Sequence, residues 1–172
     1  MVRKVNSEQK NMGTQDAMKV RLQVMKFGGT SVGDAACITR TAEIIRKAAK
    51  QSGCVTVVSA MSGVTNRLIE AAKKAQAGNA DEAAAILHAL RRQHESALTS
   101  LIPQEKERER ISQRIEEVLA EGRRLCDGTA LLRELTPRTL DAISSLGERL
   151  SAPLVAATIR ELELPSEAIE AT

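Results

Sequence analysis

The chain has 172 residues, of which 42% are hydrophobic and 27% charged, with a formal net charge of +3. These values are typical of one globular domain, and we find no apolar run of the length that a membrane span or a signal peptide needs. With one phenylalanine and no tryptophan or tyrosine, the chain lacks the aromatic side chains on which nucleic-acid bases stack. We therefore expect a cytoplasmic protein that binds neither membranes nor nucleic acid.

The residues that most often hold metals do not form a metal-binding pattern. Cys37, Cys54 and Cys126 are far apart and lack C-x-x-C spacing, which argues against both a disulfide framework and a zinc site. His94 shares a helical stripe with several leucines, so we interpret it as a packing residue, and His88 receives no role. We predict no metal ligand in this chain.

The first ordered element is predicted to be a strand. Residues 1–19 show no hydrophobic period, and we expect a disordered extension ahead of a domain over residues 20–172. In "VRLQVMKF", Val20, Leu22 and Val24 alternate with polar neighbours before the sequence becomes apolar at Met25. This pattern predicts a strand that enters the core.

A helix and a second strand are predicted next. Asp34 can cap a helix that extends to about Lys50, with an apolar face that includes Ile38 and Ile45. After Gly53, the β-branched run "CVTVVS" is typical of a strand buried on both faces of a parallel sheet. The sequence therefore predicts a parallel βαβ unit and an α/β fold.

Both predicted strands end in loops of small residues. "KFGGTSVG" begins at Lys26, and a lysine beside glycine N–H groups is suited to an anion. "SAMSGVTN" follows the second strand, and parallel strands place such loops at one edge of the sheet. Each loop also has an ordinary interpretation: the first as a tight turn, the second as a junction where Thr65 or Asn66 caps a helix.

The middle of the chain predicts an antiparallel helical hairpin. One helix covers about 80–101, Pro103 ends it, and a charged helix covers about 104–132. We interpret "EKERER" as a solvated helix face rather than a binding patch. Its i,i+3 spacing predicts the ion pairs Glu105/Arg108 and Glu107/Arg110.

The last predicted helix contains an unusual acidic residue. Thr136 followed by Pro137 is typical of a helix start, and we expect an irregularity around Gly147 and Pro153. Glu148 lies among small and apolar residues, where a partly buried carboxylate needs a cationic partner. That partner could be the ammonium group of a ligand, although a plain surface position beside Arg149 is the simpler interpretation of this residue alone.

Taken together and in order, these motifs resemble a known family. The set "VMKFGGTSV", "VVSAMSGVTN", a charged hairpin and "TPRTLDAISSLGERLSA" closely resembles the aspartate kinases of the amino-acid kinase superfamily. The resemblance covers about residues 22–162, and residues 78–133 resemble the insertion of the longer aspartokinases, including those fused to homoserine dehydrogenase. It implies a three-layer αβα fold, of which this chain would be an N-terminal lobe.

The resemblance also implies a reaction and its participants. ATP would phosphorylate the side-chain carboxylate of L-aspartate to 4-phospho-L-aspartate, at the start of lysine, threonine, methionine and isoleucine synthesis, with Mg²⁺ and in a homo-oligomer. A lysine beside backbone N–H groups suits phosphoryl transfer, and an ionised carboxylate acceptor needs no general base. The implied roles are phosphoryl and nucleotide binding by Lys26, Phe27, Gly28 and Gly29, aspartate binding by the hydroxyls of Ser59 and Thr65, and pairing of Glu148 with the substrate ammonium.

The family pattern is longer than this chain. We expect most of the nucleotide and metal site to lie beyond residue 172, so that the chain is an N-terminal fragment that is inactive alone. Two alternatives stay open: another carboxylate or carbamate kinase of the same superfamily, and an inactive lobe that serves as an assembly module through its hairpin.

Overall fold

The computed structural model describes residues 21–170. These residues form two strands and six α-helices. Among those helices, none combines the length and apolar character that crossing a bilayer requires. The elements, in chain order, are β1 (Leu22–Phe27), α1 (Ala35–Ala49), β2 (Gly53–Val58), α2 (Val64–Gln76), α3 (Ala80–Leu101), α4 (Glu105–Leu132), α5 (Pro137–Ser144) and α6 (Leu146–Glu161). The predicted extension over residues 1–19 lies outside the described residues.

The two strands form the predicted parallel βαβ unit with α1 as the crossover. Their register pairs Leu22 with Gly53 and Phe27 with Val58, so both strands end at the same edge of the sheet. The predicted cap at the start of α1 is confirmed, because the Cys37 N–H donates to Asp34 Oδ1 at 2.7 Å. The carboxyl ends of β1 and β2 therefore lie side by side.

The prediction for the faces of the strands was wrong. Leu22 and Val24 are 65% and 69% exposed, and Val55 and Val57 of β2 are 47% and 50% exposed. Because α1 and α6 contact each other and both contact β2, they cover one face of the sheet. No element within residues 21–170 covers the other face, so β2 is not buried on both sides.

The helical hairpin agrees with the prediction in its bounds and direction. Glu95 of α3 accepts from Ser112 of α4, and Arg91, one turn earlier in α3, pairs with Glu116, one turn later in α4. Partners that move apart along the two helices show that the helices are antiparallel. The interpretation of residues 78–133 as a family insertion stays a prediction, as does the domain boundary at residue 20.

The charged start of α4 differs from its prediction in one pair. Glu107 and Arg110 form the expected ion pair, but Arg108 donates to the carbonyls of Ile102 and Pro103 instead of pairing with Glu105. Glu107 also accepts from Arg160 of α6. Hydrogen bonds from these two arginines, Arg110 foremost, lower the pKa of Glu107 to about 2. This part of the charged run therefore ties α4 to α6 and is not only a solvated face.

The predicted helix irregularity lies earlier than expected. Thr136 caps α5 by accepting from the Thr139 N–H at 3.1 Å, as predicted. The break between α5 and α6 falls at Ser145 rather than at Gly147, and α6 continues through Pro153. A proline inside a helix removes one N–H donor, and the remaining turns of α6 continue on both sides of it.

His94 is a packing residue, as predicted. Its side chain is 0% exposed, and Nδ1 lies 2.7 Å from the carbonyl oxygen of Leu90. Because a carbonyl only accepts, Nδ1 carries the proton, and Nε2 is left buried without a partner among the described residues. The uncompensated burial lowers the pKa of His94.

Candidate active site at the carboxyl ends of the strands

Three segments that the sequence singled out meet at Ala60. Ala60 follows β2 and is 3% exposed. A Cβ added to Gly29, after β1, would lie 3.2 Å from the Ala60 carbonyl oxygen, and a Cβ added to Gly147 of α6 would lie 2.7 Å from the Ala60 Cβ. An alanine at Gly147 would overlap Ala60, and one at Gly29 would require the Ala60 carbonyl to move by a few tenths of an ångström, so the two glycines allow close packing on both sides of the loop. The structure therefore brings both small-residue loops and the start of α6 into one cluster.

The peptide unit between Ser59 and Ala60 is held at both ends by α6. Its N–H donates to Glu148 Oε1 at 3.3 Å, and its carbonyl oxygen accepts from the Ser151 hydroxyl at 2.8 Å. Glu148 and Ser151 are three residues apart in α6 and so lie on one side of the helix. A single peptide plane thus joins the loop after β2 to the helix that carries the predicted substrate-binding glutamate.

The loop after β1 is held by the end of β2 and by α1. Phe27 is half-buried, and its carbonyl accepts from the Ser59 N–H at 3.1 Å, which joins the two strand ends directly. The Ser31 carbonyl accepts from the Thr41 hydroxyl of α1 at 2.7 Å. A Cβ added to Gly28 would meet no heavy atom within 4 Å, so the backbone there is open to an incoming group.

Lys26 is exposed at the end of β1. It pairs in the sheet with Val57 and shares the uncovered face with Val24. Within residues 21–170 it makes no salt bridge, and its contact with an anion at the glycine loop stays a prediction. The structure does not join Lys26 to Glu148 by any hydrogen bond or ion pair.

The hydroxyls of Ser59 and Thr65 have no hydrogen-bond partner in the described part of the chain. Thr65 does not cap α2, since the cap is Gly63, whose φ of 77° lies in the left-handed region. This finding removes the capping interpretation of both Thr65 and Asn66, and the side chains of Ser59 and Thr65 lie beside the loop after β2. Their contact with a substrate stays a prediction.

Glu148 is half-buried, and it is not an ordinary surface residue. Its neighbour Arg149 pairs with Glu121 and Glu170 and not with Glu148. The one hydrogen bond that the Glu148 carboxylate makes within residues 21–170 is that from the Ala60 N–H. A carboxylate has about four lone-pair sites, so Glu148 keeps the capacity to accept from an ammonium group.

Two contributors to this cluster were not identified from the sequence. Ser151 and Thr41 hold the two loops through backbone carbonyls, and both side chains are buried. The only local signal for Ser151 was its i,i+3 spacing from Glu148, which many surface serines share. Among residues 21–170, no group of three His, Cys, Asp or Glu side chains is placed to hold a metal ion.

The fold and this cluster define a class of protein. Residues 21–172 match the amino acid kinase family, and the chain belongs to that family.

Within the family, the chain is similar to aspartokinases. It is 33% identical to aspartokinase 1, chloroplastic, from Arabidopsis thaliana over 86% of its length, and 34% identical to the aspartokinase of Chlamydia muridarum over 86%. It also resembles the solved structure of E. coli aspartokinase III in complex with lysine and aspartate, with a TM-score of 0.69 and 29% identity over 84% of the chain. The complex of that enzyme with aspartate and ADP gives a TM-score of 0.64 and 31% identity over 83% of the chain. These similarities confirm the predicted α/β amino-acid-kinase fold.

The chain spans only part of these relatives. It covers 25% of the Arabidopsis protein, 30% of the Chlamydia protein and 30% of the E. coli chain. The ligands and activities of those complete proteins can therefore only be proposed for this chain.

Proposed function

We propose that this chain supplies the aspartate-binding and phosphoryl-positioning part of an aspartate kinase. The observation that carries the proposal is the meeting of Gly29, Ala60 and Glu148 at the carboxyl ends of two parallel strands. Ligands of open α/β sheets bind at this edge, where loops present backbone groups and side chains together. The similarity to E. coli aspartokinase III, solved with aspartate, supports the same substrate class.

In this proposal, the loop after β2 and the start of α6 bind L-aspartate. The carboxylate of Glu148 pairs with the substrate ammonium, while the hydroxyls of Ser59 and Thr65 donate to a substrate carboxylate. The half-buried position of Glu148 strengthens the ion pair relative to one in open water, because the effective dielectric constant is lower there. The spare lone pairs of Glu148 let it bind the ammonium without releasing the Ala60 N–H.

The end of β1 would bind the transferred phosphoryl group. A side-chain oxygen of aspartate attacks the γ-phosphorus of ATP, the bond from that phosphorus to the bridging oxygen breaks, and ADP leaves. Lys26 neutralises charge that spreads over the phosphoryl oxygens, and the open backbone at Gly28 and Gly29 lets N–H groups approach them. Phe27 holds this loop beside Ser59 through its carbonyl.

We propose that the end of β1 contacts the phosphate groups of ATP, whereas residues 21–170 hold no group of three His, Cys, Asp or Glu side chains placed to bind Mg²⁺. An exposed lysine beside an open glycine backbone is suited to phosphate oxygens. The steps above therefore involve only residues of this chain and the two substrates. We further propose that the full-length enzyme works in the cytoplasm as a homo-oligomer, in the synthesis of lysine and threonine.

Calorimetric titration of the 172-residue chain with L-aspartate and with succinate tests the proposal. Succinate keeps both carboxylates but lacks the ammonium group, so it cannot use the Glu148 carboxylate. We expect L-aspartate to bind more tightly than succinate. In Glu148→Gln, aspartate affinity should fall by at least about tenfold, the value of one hydrogen bond to a charged group.

The matched control is Glu161→Gln, which changes another half-buried glutamate of α6 at the far end of the helix. This variant should bind aspartate as the wild type does. Equal binding of aspartate and succinate, or equal losses in the two variants, would contradict the assignment of Glu148 to the substrate ammonium.

A further inference from the structure

The Ser151 hydroxyl donates to a carbonyl outside its own helix, which is unusual for a helical serine. A serine inside a helix ordinarily donates to a carbonyl of its own preceding turn. Ser151 lies 3.2 Å from such a carbonyl, that of Glu148, yet its shorter contact, at 2.8 Å, is with the Ser59 carbonyl 92 residues away. Its side chain is 0% exposed, so water does not compete for this hydrogen.

A second buried hydroxyl on the same helix shows the ordinary pattern. Thr158 is 5% exposed and donates to the carbonyl of Leu154, four residues earlier, at 2.8 Å. Burial of a hydroxyl in α6 therefore does not by itself cause it to donate to another element. The position of Ser151, one turn after Glu148 and against the loop after β2, accounts for the difference.

The two bonds to the Ser59–Ala60 peptide are unequal. The Ser151 bond of 2.8 Å has the usual length for an O–H donor, whereas the bond from the Ala60 N–H to Glu148, at 3.3 Å, is longer than is usual for an N–H donor. The long bond alone leaves the peptide free to tilt about its Cα–Cα axis. The short bond at the opposite end of the same plane removes that freedom.

We propose that Ser151 is a positioning residue for the amino-acid substrate. It acts through the Ser59–Ala60 peptide and does not touch the substrate. By fixing that plane, it sets the direction of the Ser59 side chain and keeps the Ala60 N–H on one oxygen of Glu148, which leaves the other oxygen for the substrate ammonium. The inference deepens the proposed function and rests on it for the identity of the substrate.

The test compares Ser151→Ala with Thr158→Val, since each removes one buried hydroxyl from α6. We expect Ser151→Ala to weaken L-aspartate binding by roughly fivefold to tenfold in calorimetry, the effect of losing one neutral hydrogen bond from the site. It should also move the Ala60 amide resonance and speed the hydrogen exchange of that amide. Thr158→Val should change neither the affinity nor the amide, even where both variants lower the melting temperature.

A third variant keeps the test decisive if Ser151→Ala does not fold. Ser151→Cys keeps a small side chain with a weaker donor, and its aspartate affinity should fall below that of the wild type. Aspartate affinity and an Ala60 amide that match the wild type in the folded Ser151 variants would overturn the inference. If the wild type binds no aspartate, the proposed function fails, and the inference is then judged on the Ala60 amide alone.

Discussion

Replacement of Gly147 by alanine is a direct test of the contact between α6 and the loop after β2. The new Cβ would lie 2.7 Å from the Ala60 Cβ and 3.4 Å from Val64 Cγ1. Carbon atoms in contact prefer separations of about 3.5–4.0 Å, so the loop and the helix must move apart. Both neighbours are buried, and neither is the free end of a flexible side chain.

Two opposing effects decide the size of the loss. Extra volume in a packed core costs about 1–3 kcal/mol, while alanine in a helix is favoured over glycine by roughly 0.5–1 kcal/mol. Because the 2.7 Å contact is with a buried Cβ that cannot rotate away, we expect an overpacking cost of about 2–3 kcal/mol and, after the helix gain of about 1 kcal/mol, a net loss of about 1–2 kcal/mol in the free energy of unfolding. For a domain of this size, that loss lowers the melting temperature by roughly 2–8 °C.

The control is Gly128→Ala in α4. Gly128 is exposed, and an added Cβ would meet no heavy atom within 4 Å, so only the gain in helix propensity acts. Thermal melts of both variants by circular dichroism should therefore move in opposite directions. If Gly147→Ala is as stable as Gly128→Ala, α6 does not pack against Ala60 as described.

Three further predictions concern the pH response, the uncovered sheet face and turnover. Burial holds the pKa of His94 below its ordinary value near 6.5, so the His94 contribution to the free energy of unfolding should be constant above that pH and decrease as the pH falls below it. Chemical denaturation between pH 8 and 5 should show that His94→Leu reduces the dependence of the free energy of unfolding on pH. An equal pH dependence in that variant would refute the assignment. Replacing the exposed Val55 and Val57 by threonine should reduce self-association in light scattering with little change in melting temperature, whereas a marked loss of stability would mean that the face is covered. The 172-residue chain, which spans 30% of a solved aspartokinase chain, should show no aspartate-dependent release of ADP from ATP and Mg²⁺, and clear aspartate-dependent turnover would contradict this expectation.

Local patterns predicted most of the elements of this fold. The caps at Asp34 and Thr136 and the helix over Ala80–Leu101 followed from signals within a few residues of each boundary. The exposed faces of the strands could not be predicted in the same way. Alternation of apolar residues shows that a strand has two faces, but which face is covered depends on where α1 and α6 pack.

The sequence predicted which residues form the candidate site, but not all of the hydrogen bonds that join them. The glycine loop, the loop after β2 and Glu148 were each identified from short motifs, and the structure joins all three at Ala60. The hydrogen bond of Ser151 to the loop after β2 was not predicted, because its partner lies 92 residues away. The partner is also a backbone carbonyl, which every residue has, so the sequence contains no signal for it.

A ¹⁵N-resolved NMR titration of the chain with L-aspartate tests most directly whether this edge of the sheet is an aspartate site. We expect the perturbed amides to concentrate in the loop after β2, from Ser59 to Thr65, and around Glu148, with smaller changes at Gly28 and Gly29. Those changes should disappear in Glu148→Gln. Saturable changes elsewhere, such as the groove between α4 and α6 near Arg114, or no changes at millimolar aspartate, would contradict the assignment of this edge as the substrate site.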